Sequence, residues 1–313
     1  MSFVLSRNIM NVVCMGGRGK MCQVITSFTS CHLTNNSVET YLCKGSFVLK
    51  REQGLIAVYK PPHILSQPRP RTTAGEPDES HDDERIAIVN LPYNFEHEYY
   101  YNADCDESKS QEIRYWLLHR LDAETSGILL LSDNECVADY VKCLFSLGRI
   151  EKKYYAIVFG KWVSRTKASW ITSVNIKKDE KRAIALTKIK SSSGRLARTE
   201  VRVAKRIEHK KIMLLELQPR TGITHQLRVQ CQHEEVPIVG DRVYGDFSRN
   251  KLIRFLGGSK NRLYLHASKL IVPLEAAKQK NAQKISHNEF KAGFEVSSPI
   301  PSSFVDLLRS SVP

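Results

Sequence analysis

The feature that most constrains this chain is a cluster of charged residues placed directly before a short apolar run. The segment HRLDAETSGILLL occupies residues 119–131, and its Thr-Ser-Gly triplet is a turn signal. Ile128–Leu131 is a continuous apolar run of strand length, which predicts a buried strand. Asp122 therefore lies at the mouth of the core, where a carboxylate needs a cationic or hydrogen-bonding partner.

A second segment, LQPRTGITHQLRVQ at residues 217–230, supplies a candidate partner. Leu227 and Cys231 have the spacing of one helical turn, so both are expected to face the core from one side of a short helix. Arg228 then lies beside that buried face. An arginine that nearly enters a core usually has a carboxylate to meet, so Arg228 is expected to pair with Asp122.

Apolar patterns along the rest of the chain predict many strands and few helices, which is typical of an α+β fold. Helical spacing covers residues 134–147, and a short helix capped by Thr224 is expected to run to about Gln232. Further strands are predicted within residues 44–65, 152–162, 168–176, 182–190 and 198–219, a strand pair within 262–273, and a last short helix at 303–309.

Composition divides the chain into a body and two extensions. The predicted body is residues 46–273, with an N-terminal extension at residues 1–45 and a C-terminal extension at residues 274–313. An insert at residues 66–112 is rich in acidic side chains, and its first part has no apolar periodicity, which is typical of a loop or a disordered segment.

Charge is distributed unevenly and favours a polyanionic partner. Residues 76–112 hold twelve acidic and two basic residues, whereas residues 142–211 hold twenty basic and five acidic ones. The whole chain has a net charge of +14. A basic stripe this dense favours contacts with the phosphates of a nucleic acid, although any single lysine in it can equally be an ordinary solvated residue.

Several kinds of site do not occur in the sequence. The eight cysteines include no C-x-x-C pair, which argues against a zinc site or a redox dithiol, and we interpret them as free thiols. No P-loop, dinucleotide-binding glycine motif or cluster of metal ligands occurs, so no metal and no cofactor is predicted. No apolar run approaches the roughly 20 residues that span a bilayer, so no membrane association is expected.

The first 38 residues have the composition of a targeting segment. They contain no acidic residue but include Arg7, Arg18 and Lys20 among many serines, threonines and asparagines. Such a composition is typical of mitochondrial transit peptides, and we predict a mitochondrial location on this basis. The alternative is a disordered tail, in which case the protein would reside in the cytoplasm or the nucleus.

Five segments, in order, resemble the motifs of the RluA-type pseudouridine synthases. HRLDAETSGILLL is similar to the catalytic motif H-R-L-D-x-x-T-S-G of that family, and GLIAVYKP at residues 54–61 is similar to its first motif. KKYYAIVFG, at residues 152–160, resembles the strand K-x-Y-x-A-x-V-x-G. The remaining matches are TGITHQLRV with VPIVGDRVYG, and LYLHASKLIVP. Together the segments span roughly residues 48–273.

The resemblance implies a fold and a reaction. The fold is a mixed, largely antiparallel central sheet with flanking helices and a catalytic cleft. In the reaction, a uridine of RNA is detached at its N1–C1′ bond, turned over and rejoined through C5, which requires no cofactor because nothing is added or lost. Ribosomal RNA is the favoured substrate and tRNA the alternative. Proteins of a ribosome precursor are further candidate partners, and outside any assembly a monomer is expected.

The resemblance also implies roles for individual residues. Asp122 is expected to be the catalytic carboxylate, which either attacks C1′ or removes the 2′ proton, while Arg228 keeps it ionised and oriented. Tyr154 is expected to stack on the target base and is a candidate for removing the C5 proton. Arg120 would fill the gap that the flipped base leaves in the RNA stack, and Leu265 would form the floor of the uracil pocket.

Some further residues are expected to contact RNA without a more specific role, and others depart from the family pattern. The further residues predicted to contact RNA are Lys60, Arg220, His225 and Gln226. His119 is predicted to be structural rather than a general base. Ile223 stands where the family usually has an arginine, and Gln230 stands where it usually has a histidine. The presence of Ile223 in place of that arginine is expected to remove a contact with RNA and to leave the reaction itself intact.

Two other functions are compatible with the same sequence. The protein could be a catalytically silent RNA-binding factor for ribosome assembly, which uses the same fold as a clamp. Ile223, the acidic insert and the basic stripe favour that alternative, whereas the intact catalytic set argues against it. An unrelated glycosidase-like or nucleotide-salvage enzyme would leave the basic stripe unexplained.

Overall fold

The strands and helices appear where the apolar pattern is strongest. The computed structural model describes residues 37–70, 86–102, 113–160, 167–179, 182–187, 194–259, 261–273 and 293–309. The targeting segment predicted at the N-terminus and most of the acidic insert therefore lie outside the described residues.

Strands outnumber helices along the described residues. In chain order the strands are β1 Phe47–Glu52, β2 Leu55–Lys60, β3 Tyr93–Asn94, β4 Tyr99–Tyr101, β5 Arg114–Leu117, β6 Ser126–Ser132, β7 Glu151–Phe159, β8 Lys167–Asp179, β9 Arg182–Thr187, β10 Arg195–Ile207, β11 Ile212–Pro219, β12 Leu265–Val272 and β13 Phe294–Ser297. The α-helices are α1 Glu135–Ser146, α2 Gln226–His233, α3 Phe247–Asn250 and α4 Ser302–Arg309. None of these helices is long and apolar enough to cross a membrane.

The described strands form one sheet of 13 strands. Its main path runs β3-β4-β5-β6-β12-β7-β11-β10-β8-β9, while β1 and β2 are attached through β6, and β13 is attached to β12. Neighbouring strands are antiparallel, except that β6 and β12 pair in parallel where Ser126 and Gly127 meet His266 and Ala267. A mixed, mostly antiparallel sheet with few helices is an α+β architecture, so the predicted fold class is confirmed.

The first hairpin has a tight turn, and the prediction that Ile128–Leu131 is a buried strand is confirmed. Gln53 and Gly54, which join β1 to β2, both have positive φ angles, of 54° and 73°. Two left-handed residues in succession are typical of the tight turn that suits the twist of a hairpin. The apolar run Ile128–Leu131 is at most 1% exposed and forms the centre of β6.

A glycine at the start of β6 allows two strands to approach closely. Gly127 has a φ of +119°, and a Cβ atom at this position would lie 2.2 Å from the carbonyl oxygen of Ala267 in β12. Only glycine is free of both this clash and the backbone strain. Because β6 follows directly after the charged HRLD loop, this contact holds that loop next to β12.

The N-terminus of α2 differs from the prediction. The helix starts at Gln226, and its N-cap is His225, which has a left-handed φ of 56° and makes no capping hydrogen bond with its side chain. The prediction of a Thr224 cap was therefore wrong. The side-chain oxygen of Gln226 accepts a hydrogen bond from the amide of Ile223 at 3.2 Å, which ties the turn before the helix to its first residue.

The C-terminal part of the chain is integrated into the body. The prediction of a strand pair within residues 262–273 was wrong, because this segment forms the single strand β12, whose antiparallel neighbour β13 lies further along the chain. Phe304 and Leu307 of α4 are fully buried in the same core as Leu227 and Cys231 of α2. Residues that the sequence placed in a C-terminal extension therefore complete the core.

The aromatic residues of the acidic insert belong to the sheet. Tyr93 of β3 and Tyr100 of β4 are buried, and their rings meet edge to face with centroids 4.8 Å apart. Tyr99 contacts Trp116 of β5 with centroids 5.7 Å apart. The parts of the insert at residues 71–85 and 103–112 lie outside the described residues.

Candidate active site

A cavity of about 870 Å³ lies where the HRLD loop, β7, β12 and the start of α2 meet. Most of the residues predicted from the sequence to act in catalysis or RNA binding line it. They are Arg120, Asp122, Tyr154, His225, Gln226, Arg228 and Leu265. Residues that are distant in the sequence are thus brought together around one space.

The loop that carries Asp122 is held by hydrogen bonds to its backbone. The hydroxyl of Ser66 donates to the carbonyl of Leu121 at 2.9 Å and accepts from the amide of Leu121 at 3.0 Å. The ammonium of Lys60 donates to the carbonyl of Ala123 at 2.9 Å. Because both neighbours of Asp122 are fixed in this way, its carboxylate has little freedom other than side-chain rotation.

Lys60 and Arg220, which were predicted to contact RNA, do not line the cavity. Lys60 is fully buried, and its three protons are used by backbone carbonyls at 2.7, 2.9 and 3.0 Å. It therefore organises the loop and is out of reach of the phosphate contact predicted for it. Arg220 is exposed, does not line the cavity, and donates from Nε to Glu200 Oε1 at 3.0 Å.

Arg228 is the buried centre of an ion-pair network. Its side chain is 3% exposed. Nε and Nη2 donate to the two carboxylate oxygens of Asp241 at 2.8 and 2.9 Å, and Nη1 donates to Asp122 Oδ2 at 3.3 Å. The ring of Tyr244 lies against the guanidinium, with 5.3 Å to its centroid. The two partners expected from the sequence, Arg228 and Asp122, are thus in contact.

The network keeps its own members charged. Burial alone would lower the pKa of Arg228, but the hydrogen bond and charge of Asp241, together with the charge of Asp122, raise it overall. Burial would likewise raise the pKa of Asp241, but Arg228 and the backbone amides of Val243 and Tyr244 lower it overall. Asp122 therefore always faces a fixed positive charge.

Asp241 was missed by the sequence analysis. It is 1% exposed and lies in the segment VPIVGDRVYG, where no role was assigned to it. The need for a second acceptor could have been inferred from the sequence, because a guanidinium has five N–H donors and a single carboxylate cannot satisfy them in a buried site. The prediction that Arg228 is buried thus already required a second acceptor.

Tyr154 and Leu265 come from adjacent strands and line the cavity beside Asp122. Burial raises the pKa of the Tyr154 phenol, and the negative charge of Asp122 raises it further. The phenol is therefore protonated at neutral pH, which favours a stacking role over proton removal, because a general base must first be deprotonated. Leu265 is 3% exposed and gives this part of the cavity an apolar surface.

His119 has a structural role in the loop. Its Nε2 accepts a hydrogen bond from the amide of Leu130 at 3.1 Å, and its ring lies 4.9 Å from that of Phe145. Burial, with the charge of Lys152, lowers the pKa of His119 to about 3. A ring that is neutral at physiological pH and already accepts a backbone hydrogen bond is poorly suited to proton transfer.

Two residues at the start of α2 have different environments. His225 places Nε2 at 3.8 Å from Asp122 Oδ1, and its Nδ1 lies 2.8 Å from the hydroxyl of Tyr244. Gln226 is buried, and its side-chain oxygen accepts a hydrogen bond from the hydroxyl of Thr221 at 2.8 Å. His225 therefore faces the carboxylate, whereas Gln226 fixes the turn that precedes the helix.

Arg120 and Ile223 differ in their access to RNA. Arg120 is exposed where it lines the cavity, and its guanidinium makes no hydrogen bond within the part of the chain that the structure describes. Ile223 is 8% exposed and packs with Val174 and Val229. Where the family pattern has an arginine, this chain therefore has a side chain that adds to the core.

We predict that Asp241→Asn lowers the free energy of unfolding by about 3 kcal/mol, because it breaks a buried ion pair and leaves Arg228 without its main partner. The matched control is Asp133→Asn, which breaks a partly exposed pair with Arg51 and should cost less than about 1 kcal/mol. Urea unfolding measures both variants. Equal losses would contradict a central role for Asp241.

Two histidines, the half-buried His119 and the buried His266, make stability depend on pH. Burial is the main cause that lowers the pKa of His119 to about 3 and that of His266 to about 4, whereas an unfolded histidine titrates near about 6.5. Below that pH the unfolded chain binds more protons than the folded one. The stability that the neutral rings contribute is therefore present above about pH 6.5 and is lost as the pH falls towards the folded pKa values.

We predict that the free energy of unfolding falls between about pH 7 and pH 4.5, and that His119→Gln makes this fall less steep by up to about 1.4 kcal/mol per pH unit. Glutamine retains an acceptor for the Leu130 amide but has no proton to gain. Urea titrations at several pH values measure the slopes. A His119 ring that titrates near its ordinary pKa in an NMR experiment would refute the assignment.

A model of the RNA pseudouridylate synthase family matches residues 54–233. This is more than half of the chain, and it extends from the first hairpin to the end of α2. Asp122, Tyr154 and Arg228 all lie within the matched region.

The relatives found by sequence act on two kinds of RNA. The ribosomal large subunit pseudouridine synthase C of Rickettsia typhi is 35% identical over 152 residues, which are 49% of this chain and 49% of that protein. The tRNA pseudouridine synthase C of Vibrio cholerae is 36% identical over 163 residues, which cover 49% of this chain and 64% of that protein. The matched regions thus span 49% and 64% of the length of these relatives.

A solved structure shows the same fold. Human RNA pseudouridylate synthase domain containing 4 superposes with a TM-score of 0.56 at 22% sequence identity, over 83% of this chain and 91% of that one. The resemblance predicted from five sequence segments is confirmed, and the chain belongs to the RNA pseudouridylate synthase family.

Proposed function

We propose that the protein is an RNA pseudouridine synthase that converts uridine to pseudouridine in ribosomal RNA. The observation that carries the proposal is one cavity that contains Asp122, Tyr154 and Leu265, with Arg228 held 3.3 Å from the Asp122 carboxylate. Membership of the family supports the reaction. Of the two relatives compared, one is named for ribosomal RNA and one for tRNA, so tRNA is the alternative substrate.

The reaction begins when the target uridine leaves the RNA stack and enters the cavity, which costs a few kcal/mol for unstacking and unpairing. Its base stacks on Tyr154, and Leu265 limits the pocket from the neighbouring strand. The exposed Arg120 at the cavity is suited to fill the gap in the stack, because a planar guanidinium stacks well on aromatic surfaces.

One carboxylate is sufficient to cleave the N1–C1′ bond. Hydrolysis of an ordinary glycoside uses a second carboxyl group to protonate the leaving oxygen, whereas uracil leaves as a delocalised anion. Asp122 acts on the ribose by one of two routes: it attacks C1′, or it removes the proton at C2′. Both routes use the carboxylate of Asp122, and Arg228 holds a positive charge 3.3 Å from it.

The second half of the reaction rejoins the same two fragments. The detached uracil turns over and its C5 forms a bond with C1′. In the first route the bond between Asp122 and C1′ breaks at this point, and in the second route Asp122 returns the proton to C2′. The C5 proton is then lost and N1 gains a proton, so atoms and charge balance without a cofactor. Because the Tyr154 phenol is protonated, it is a poor acceptor for the C5 proton. Asp122, once it is released from the ribose, is the better acceptor.

We predict that Asp122→Asn slows pseudouridine formation at least about 10³-fold, the scale expected for loss of a catalytic nucleophile, and leaves RNA binding nearly unchanged. RNA from cells that lack the protein is incubated with wild type or variant, and pseudouridine is mapped by chemical labelling. The control is Asp139→Asn, an exposed carboxylate on α1, which should retain activity.

The same assay separates the competing functions. New pseudouridine from the wild type and the control, but not from Asp122→Asn, is the expected result. If none of the three proteins modifies ribosomal RNA or tRNA although all bind RNA tightly, the enzyme proposal is refuted and the protein is an RNA-binding factor on the same fold.

We further propose a mitochondrial location, which is supported by the composition of residues 1–38. We predict that this segment, fused to a fluorescent protein, carries it into mitochondria, since its positive charges and lack of acidic residues suit import. The control fusion has Arg7, Arg18 and Lys20 changed to glutamine and should stay outside. Cytosolic fluorescence from the unaltered fusion would refute the proposal.

A further inference from the structure

Lys152 lies in the wall of the cavity at a place that the proposed chemistry does not use. It belongs to β7, is half-buried, and lines the cavity together with His119 and Thr221. Its Nζ donates one hydrogen bond within the described residues, to the carbonyl of Thr221 at 3.4 Å, which is at the weak end of the usual range. No carboxylate of the described residues lies within 4.0 Å of it.

Within the part of the chain that the structure describes, the ammonium group of Lys152 has no carboxylate as a counter-charge. Removing a cation from water is unfavourable unless a partner compensates it, and burial lowers the pKa of Lys152. His119, the titratable neighbour whose pKa Lys152 affects, is neutral and supplies no negative charge. An anion that enters the cavity would supply such a partner.

The adjacent residue of β7, Lys153, differs from Lys152 because it has a carboxylate partner. Successive side chains of a strand point to opposite faces of the sheet, and Lys153 is paired with Glu216, with 3.2 Å between Nζ and Oε2. Glu216 is also bound by Arg202 at 2.7 Å. The two neighbouring lysines thus differ: Lys153 is paired with Glu216, whereas no carboxylate of the described residues pairs with Lys152.

The surroundings of Lys152 leave room for the backbone of an RNA strand. A Cβ atom on Gly222 would meet only the Lys152 Nζ, at 4.0 Å, and Gly222 itself is exposed, so the turn next to the ammonium is accessible. Arg228 cannot serve a phosphate, because Asp241 and Asp122 occupy its guanidinium. Lys152 is therefore available for an anion where Arg228 is not.

We propose that Lys152 binds a phosphate of the RNA backbone beside the everted uridine and thereby fixes where the strand crosses the cavity, against the turn formed by Thr221 and Gly222. A compact ammonium group matches the full charge of a phosphate better than the partial charge of a uracil oxygen. The inference rests on the proposed function in taking RNA as the ligand, and its first test, which measures binding alone, requires no turnover.

The first experiment measures binding of a short oligouridine by wild type, Lys152→Gln and Lys153→Gln over a range of salt concentrations. Losing one phosphate contact should weaken binding by Lys152→Gln about tenfold and reduce the slope of log K against log salt by about 0.7, the value for one contact on a single strand. Lys153→Gln should match the wild type. Unfolding curves check that both variants are folded.

Two outcomes would overturn the proposal. If Lys152→Gln binds with the affinity and salt slope of the wild type, the ammonium contacts no phosphate. If both variants weaken binding equally, only the general positive charge of the protein matters. Neither outcome depends on whether pseudouridine is formed, so failure here is distinguishable from failure of the proposed function.

The second experiment locates the phosphate. In an RNA fragment that the wild type modifies, the linkages around the target uridine are replaced by neutral methylphosphonates one at a time. One replacement should weaken binding to the wild type and to Lys153→Gln and have no further effect on Lys152→Gln, because the contact is already lost. If no position shows this coupling while turnover is intact, Lys152 is not a phosphate-binding residue.

Discussion

The bidentate ion pair between Arg228 and Asp241 is the interaction on which the candidate site depends. Two parallel hydrogen bonds fix the plane of the guanidinium, whereas a single contact would let it rotate. The remaining nitrogen is then directed at Asp122, which it contacts at the longer distance of 3.3 Å. Asp122 thus receives a fixed positive charge, and its side chain is still 24% exposed to the cavity.

The sheet places these groups together because its strands are connected across long stretches of sequence. Asp122 precedes β6, Tyr154 lies in β7 and Leu265 begins β12, and these three strands are neighbours, with β12 in the middle. Gly127 permits the close approach of β6 and β12. α2, which follows β11, then brings Arg228 to the Asp122 loop. The cavity therefore exists only when distant parts of the chain have all folded.

Local patterns explain what could be predicted from the sequence. The apolar run after Asp122 and the helical spacing of Leu227 and Cys231 were sufficient to place a carboxylate and an arginine at the edge of the core. Each of these signals lies within a single turn or strand, where periodicity determines which side is buried. The motif resemblance then added Tyr154, which periodicity alone would have assigned to the core.

Features that depend on contacts between distant segments could not be predicted in this way. Asp241 is recognisable as a partner only once the buried guanidinium is known to need more acceptors than one carboxylate offers. Lys60 is buried because carbonyls of two loops converge on it, and no property of its own segment indicates this. The N-cap of α2 was predicted at Thr224 because threonine is a common capping residue. The structure instead has the N-cap one residue later, at His225, in a left-handed backbone conformation.

The most direct test of the account is a structure of the Asp122→Asn variant bound to an RNA that contains the target uridine. The account predicts one everted uridine, with its base against Tyr154 and Leu265 and its ribose beside residue 122, while Arg228 keeps both hydrogen bonds to Asp241. A uridine that stays stacked in the RNA, or that binds outside the cavity, would contradict the account.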